Sequence, residues 1–225
     1  MDICIIPARL GSKRIKEKNI IKFFGKPLIS YVIKEAKKSE IFDEIIVSTD
    51  SNKIKNICKK YGANIYFNRP KRLSSDKTTT MEIIKHAVKY LNSKGKKIQN
   101  ICCIYPTAVL LKAKHLKRSF KILKKKNSGF IFSVSRFEHP IERAIFKKNK
   151  NLQILKKKFI HKQSNFIKDH YYDAGQFYWG KSSDWLKNDM IFTKNSEIYC
   201  LSRFEAIDIN YKDDLNLAKI LFKKN

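Results

Sequence analysis

The 225-residue sequence has no run approaching the roughly 20 apolar residues that cross a bilayer. Its opening, MDICIIPAR, carries neither a basic n-region nor a small-residue cleavage site. Export and membrane association are therefore not expected, and the compartment expected is the cytoplasm. The five cysteines (Cys4, Cys58, Cys102, Cys103 and Cys200) are odd in number and form no C-x-x-C, which argues against both a disulfide framework and a thiolate zinc site. They read as small buried or half-buried apolar residues. Cys102 and Cys103 are adjacent, and within a strand they would face opposite sides. The five histidines form no H-x-x-x-H or H-E-x-x-H pattern and accompany no serine elbow, so neither a histidine metal centre nor a hydrolase triad is expected. Internal repeats and low-complexity linkers are also missing.

Acidic residues are scarce: 20 Asp and Glu stand against 49 Lys and Arg, for a formal net charge of +29. Such an excess invites a nucleic-acid reading, because clustered cations release condensed counterions from a phosphate backbone. The distribution argues against it. Only eight of the basic residues are Arg, and the lysines are scattered through surface-like stretches such as 124–126 and 156–158. The charge reads as solvated surface with some attraction for polyphosphate, and no nucleic-acid partner is expected.

What is present is an alternation of short β-rich apolar runs with amphipathic helical stretches. Strands are expected at 2–7, 44–48, 64–67, 100–105, 130–135 and 171–180. Helices are expected at 28–38, 51–61, 78–93, 112–125 and 211–222. This rhythm predicts one α/β domain spanning 1–225, with a mainly parallel Rossmann-like sheet covered by helices on both faces. Sites in such sheets lie beyond the carboxyl ends of the strands, here the loops after Pro7, Ser48, Tyr105 and Ser135. Residues 136–170 break the rhythm and are too long for an ordinary connection, which predicts a substrate loop or an interface arm.

The strongest chemical signal is IIPARLGSKRIKEKN, residues 5–19. A strand ends at Pro7, and a turn with Gly11 and Ser12 follows, flanked by Arg9, Lys13, Arg14 and Lys18. Such a loop can aim backbone N–H groups at phosphate oxygens and ring them with cations. It is neither a P-loop nor a G-x-G-x-x-G dinucleotide turn. Asp76 and Thr78 to Thr80 read as the cap and first turn of the following helix, and Asp50 as a cap of the one before.

The series IIPAR-x-GSKR-x-x-x-KN, GKPLI at 25–29, FDEIIVSTD at 42–50, RP at 69–70, LSSD at 73–76, YPT at 105–107 and IDIN at 207–210 resembles the acylneuraminate cytidylyltransferase family along essentially the whole chain. Within it, PIERA at 140–144 and YDAGQFYWG at 172–180 are more similar to the pseudaminic acid branch than to the sialic acid enzymes, with sialate and legionaminate as the alternative sugars. The resemblance implies a nucleotide-diphospho-sugar transferase fold and transfer of CMP from CTP to an acidic nine-carbon sugar. It places Ala8, Arg9, Gly11, Ser12, Lys13, Lys18, Asn19, Arg69 and Thr79 at the nucleotide. Tyr105, Arg143, Lys162, Gln163, Gln176 and Tyr178 are the candidates for the sugar, with Gln163 standing where the family usually has Arg. The implied cofactor is Mg²⁺ on Asp208 and Asn210, the latter where the family pattern I-D-I-D places a second aspartate. Arg9, Lys18 and Asp208 are the implied catalytic residues. A homodimer built through the 136–170 arm is the implied assembly.

Overall fold

The computed structural model describes residues 1–224. The chain begins with β1 (Asp2–Pro7), whose DICIIP run is buried except at its ends. A small hairpin, β2 (Lys22–Phe23) and β3 (Lys26–Pro27), turns through Phe24 and Gly25, both at positive φ, into α1 (Leu28–Lys38). Then come β4 (Glu44–Ser48), α2 (Asn52–Lys60), α3 (Thr80–Ser93), β5 (Asn100–Ile104), α4 (Ala113–Lys124) and β6 (Phe130–Arg136). A second hairpin, β7 (Ile145–Lys148) and β8 (Asn151–Ile154), precedes the long β9 (Tyr171–Lys181). The last elements are α5 (Ser182–Lys187), β10 (Glu197–Cys200) and α6 (Lys212–Lys224).

Six strands form the central sheet, in the order β10-β6-β9-β5-β1-β4. β1 pairs in parallel with β4 and β5, and β10 in parallel with β6, while β9 runs antiparallel to both its neighbours. The mainly parallel α/β sheet expected from the alternation is the one observed. One face carries α1, α2 and α4, through Val32, Ile33, Ile54 and Phe120 packed on Cys4, Ile6, Cys102 and Trp179. The other carries α3 and α5, through Ile84, Val88, Leu91 and Trp185 packed on Ile3, Ile5, Cys103 and Tyr178. Cys102 and Cys103 therefore do face opposite sides, because side chains alternate along a strand. Cys200 is the exception to the buried reading. It is exposed on the edge strand β10.

Local chemistry explains where the helices begin. Ser51 caps α2 by accepting from the Ile54 N–H, and Thr79 with Glu82 forms a reciprocal capping box on α3. The apolar stripe of α1, with Leu28, Ile29, Val32, Ile33 and Ala36 buried, has helical spacing. Trp179 stacks against Phe42 and Phe120 at 5.3 and 4.7 Å, so truncating it to Ala should cost about 3–5 kcal/mol.

The structure departs from the sequence reading in several places. Residues 64–67 form no strand: Asn64 makes a single bridge to Ile46, and the chain then leaves the sheet so that Phe67 packs against His86 and Tyr90 of α3. β10 is a strand where none is expected, because its four residues carry too short an alternation to register. Asp50 and Asp76 cap no helix, since hydroxyls do so instead. Residues 136–170 contain the β7–β8 hairpin, turned through Asn149 and Lys150 at positive φ.

Candidate active site

A cleft of about 540 Å³ opens beyond the carboxyl ends of β1 and β5, where parallel α/β sheets place their ligands. The loop after β1 brings Arg9, Ser12, Lys13, Arg14, Lys18 and Asn19 to it, and the loop after β5 brings Tyr105, Pro106 and Thr107. Arg69 reaches it because its own N–H is anchored on the Thr49 carbonyl at 2.9 Å, just past the end of β4. Asp208 and Asn210 arrive from the segment after β10, and Asp76 and Thr80 from the approach to α3. Two of the four loops expected from the strand ends, those after Pro7 and Tyr105, line the cleft, while the loop after Ser48 serves it indirectly by anchoring Arg69. The fourth, after β6, lines a separate cavity at the root of the 136–170 segment.

The loop after β1 is shaped mostly by its own polar contacts. The Asn19 side-chain amide donates to the Arg9 carbonyl at 2.8 Å, the Ala8 N–H to the Ser48 carbonyl at 2.9 Å, and the Ser12 N–H to the Leu10 carbonyl at 2.9 Å. The N–H groups of Ala8 and Ser12 are thus already used, and Ala8 and Gly11 do not line the cleft. What the loop presents to the cleft includes the side chains of Arg9, Ser12, Lys13, Arg14 and Lys18.

Five cationic side chains share the cleft with two carboxylates, Asp76 and Asp208. Asp76 accepts from Arg9 at 2.5 Å and pairs with Lys13 at 2.8 Å. Hydrogen bonds from Lys13 and Arg9 hold its carboxyl below the usual range. Arg69 is only 2% exposed; it faces Asp50 at 3.9 Å, and its Nη2 has no hydrogen-bond partner. Burial lowers its pKa, and Asp50 works the other way. Lys18 donates to the Ile209 carbonyl at 2.5 Å; burial lowers its pKa while Asp208 opposes the shift. The Arg69 Nε donates to the Ser74 hydroxyl at 3.2 Å, which leaves the buried Nη2, beside four further cations, short of an acceptor. The cleft is suited to a polyanion such as a nucleoside triphosphate.

Thr80, one residue beyond the expected Thr79, lines the cleft and shares a 2.5 Å hydrogen bond with the Tyr105 hydroxyl. The Thr79 hydroxyl is committed to Glu82 in the helix cap. Burial pushes Tyr105 up to about 12, so it stays protonated near neutral pH. Behind it the Tyr178 ring packs 5.2 Å away, with its hydroxyl donating to Asp173 at 2.7 Å. Tyr178 is buried and supports Tyr105 without lining the cleft, and Gln176 is fully buried. Arg143, Lys162 and Gln163 do not line it either. Arg143 is occupied within the 136–170 segment, donating to the carbonyls of Phe159 and Lys162 and to the Ser164 hydroxyl. Arg14, Asp76, Thr80 and Thr107 are cleft residues outside the expected set. The basic loop and YPT pointed toward Arg14 and Thr107, whereas the other two read as helix cap.

Asp208 and Asn210 stand together, the Asn210 amide donating to the Asp208 carboxylate at 2.6 Å. Asn210 caps nothing with its side chain; Asp214 accepts from the N–H groups of Asn210 and Tyr211 at 2.8 and 2.7 Å. Among the described residues there is no group of three or more His, Cys, Asp or Glu side chains able to hold a metal. One carboxylate and one amide oxygen, within reach of a polyanion, fit Mg²⁺, which keeps waters and takes further oxygens from substrate phosphates.

The family model described as "Cytidylyltransferase" matches residues 3–217. This chain belongs to the cytidylyltransferase family. It is 41% identical over 225 residues to a pseudaminic acid cytidylyltransferase of Campylobacter jejuni, covering 100% of this chain and 97% of that one. It is 30% identical over 227 residues to an N-acylneuraminate cytidylyltransferase of Escherichia coli, covering 99% of this cytidylyltransferase and 52% of that protein. Two solved structures share the fold: a CMP:2-keto-3-deoxy-manno-octonic acid synthetase complexed with CTP (TM-score 0.71, 12% identity, 100% and 99% of the two chains) and a 4-diphosphocytidyl-2C-methyl-D-erythritol synthase from Anaerococcus prevotii (TM-score 0.66, 13% identity, 99% and 96%). Cytidylyl transfer is thus the chemistry of this family, and no helix among the described residues is long and apolar enough to cross a membrane.

Proposed function

We propose that this cytidylyltransferase joins CMP, taken from CTP, to pseudaminic acid and releases pyrophosphate. The full-length 41% identity to an enzyme of that name carries the reading, and the cation-lined cleft supports it. The anomeric hydroxyl of the sugar acid attacks the α-phosphorus, its proton is lost, and the bond to the β-phosphate oxygen breaks. The chain's part is alignment and charge stabilisation. Arg9, Lys13 and Lys18 hold the phosphates, Arg69 completes the cation set from below, and Thr80 and Tyr105 offer hydroxyls. Mg²⁺, when bound at Asp208 and Asn210, supplies neutralisation of phosphate charge and polarisation of the attacking oxygen. The reaction belongs to the cytoplasm, where CTP is made.

Residues 136–170 fit a homodimer interface. Ile145, Leu152 and Phe166 are 64, 68 and 64% exposed there, a density of apolar surface that a second copy would cover. Light scattering should give twice the 26.5 kDa chain mass.

The deciding experiment offers CTP with pseudaminic, legionaminic and N-acetylneuraminic acids and scores pyrophosphate release. Pseudaminic acid should be the preferred acceptor. Equal or greater kcat/KM for N-acetylneuraminic acid would overturn the sugar assignment, and no release with any of them would overturn the reaction.

A further inference from the structure

We propose that Gln176 is a positioning residue for Asp208 and not a ligand of the sugar. Gln176 sits on β9 where that strand passes β5, its carbonyl accepting from the Tyr105 N–H at 2.9 Å. Its side chain is fully buried. The amide nitrogen donates to the Ile207 carbonyl at 2.8 Å and reaches the Ala174 carbonyl at 3.3 Å. Two carbonyls on one side fix which way the amide points, because the reversed amide would aim oxygen at oxygen. On the other side of Asp208, Lys18 holds the Ile209 carbonyl. Asp208 is thus flanked by two backbone carbonyls, each tied to a different part of the fold. The neighbouring Gly175, at φ +59°, passes so close that an added Cβ would lie 3.4 Å from the Asp208 carboxyl carbon.

The other half of the Gln176 amide explains why this is more than packing. Its Oε1 is buried with no hydrogen-bond partner. An unpaired buried acceptor is a net cost, and an apolar side chain of the same size would fill the space without it. The tie to Ile207 is what that cost secures. Gln176 also stands too deep to touch a ligand in the cleft, which it does not line.

The test, whose kinetic arm rests on the reaction proposed above, uses Gln176→Met alone and combined with Asp208→Asn. Gln176→Met should lower kcat by roughly tenfold to a hundredfold, the scale of an approximately 1 Å misplacement, and leave the KM for pseudaminic acid within about twofold. In the Asp208→Asn background the same change should cost less than about twofold, because it acts through the group already removed. Hydrogen–deuterium exchange should quicken in residues 205–211 and not in the sheet. Additive losses, a raised sugar KM with intact kcat, or unaltered exchange in 205–211 would each overturn the proposal. Should Gln176→Met fail to fold, Gln176→Asn carries the same measurements, since its amide is one methylene too short to reach Ile207. If the wild-type protein releases no pyrophosphate, the reaction reading fails, and the exchange measurement still decides the tie.

Discussion

The Asp76 carboxylate lies 2.5 Å from the guanidinium of Arg9, a cation proposed above to hold the nucleotide's phosphates. Lys13 grips its other oxygen at 2.8 Å. If Arg9 and Lys13 hold phosphates, Asp76 is an internal anion with which those phosphates must compete. Asp76→Asn should therefore tighten CTP binding at low ionic strength, by about two- to fivefold, and the gain should fade with added salt because the pair is solvent-accessible. Calorimetric titration at two salt concentrations checks this. Weaker binding in the variant would show that Asp76 helps to build the site.

Arg9→Ala should lower kcat/KM by at least about a hundredfold, the scale of losing one preorganised charged donor. Melting should hardly move, since Arg9 lies on a polar loop. Lys18→Met should differ: Lys18 also fastens the Ile209 carbonyl, so both activity and melting temperature should fall. Steady-state kinetics alongside thermal melts separate the two.

Asn210→Asp would set a second carboxylate where an amide now donates to Asp208 at 2.6 Å. Without metal the two anions repel, so the melting temperature should drop. With Mg²⁺ and CTP that loss should reverse, and the Mg²⁺ concentration for half-maximal rate should fall about tenfold, since the hard cation gains a charged oxygen. A Mg²⁺ titration that is flat between variant and wild type would argue against this pair as the metal site.

A half-buried cluster away from the cleft should contribute to the acid response. Glu205 accepts from His115 at 3.0 Å and from the Ser202 hydroxyl at 2.8 Å. Burial alone would raise its pKa, but the Ser202 hydrogen bond and the neighbouring His115 and Lys114 bring it down from 4.5 to about 2. A depressed folded pKa stabilises fully above about 4.5, and that contribution is lost as pH falls toward 2. Burial lowers the His115 pKa below its ordinary value, so part of this hold on Glu205 acts only at acid pH; Glu205→Gln should lower stability modestly at neutral pH and flatten the stability profile in that window. Urea melts at pH 7 and pH 3 measure it.

The basic loop is legible in the sequence because its cations are contiguous, and a strand ending at Pro7 must project the next residues beyond the sheet edge. The sheet is legible for a similar reason, since period-two runs such as DICIIP and NICCIY announce themselves. Asp76 is not. Its partners lie more than 60 residues upstream, and Ser-Ser-Asp before a helix carries the local grammar of a cap. Thr80 is missed for Thr79 because a one-residue boundary decides which hydroxyl caps and which faces the cleft. Gln176 reads as alternating with Tyr178 toward a ligand. Only the tertiary fold reveals that its acceptor is the carbonyl of Ile207, 31 positions downstream.

Among the described residues, strand β9 alone links two parallel blocks, β4-β1-β5 on one side and β6-β10 on the other. During synthesis the first block can pair as soon as β5 has emerged, while β6 must wait for residues 171–181 before it has a neighbour and for residues 197–200 before its own block is complete. The nucleotide half of the cleft can therefore take shape on the ribosome well before the segment carrying Asp208 exists. A chain truncated before β9 would lack β10 as well, leaving one edge of β5 open and β6 with no partner strand, which makes that junction the point where misassembly between nascent copies would begin.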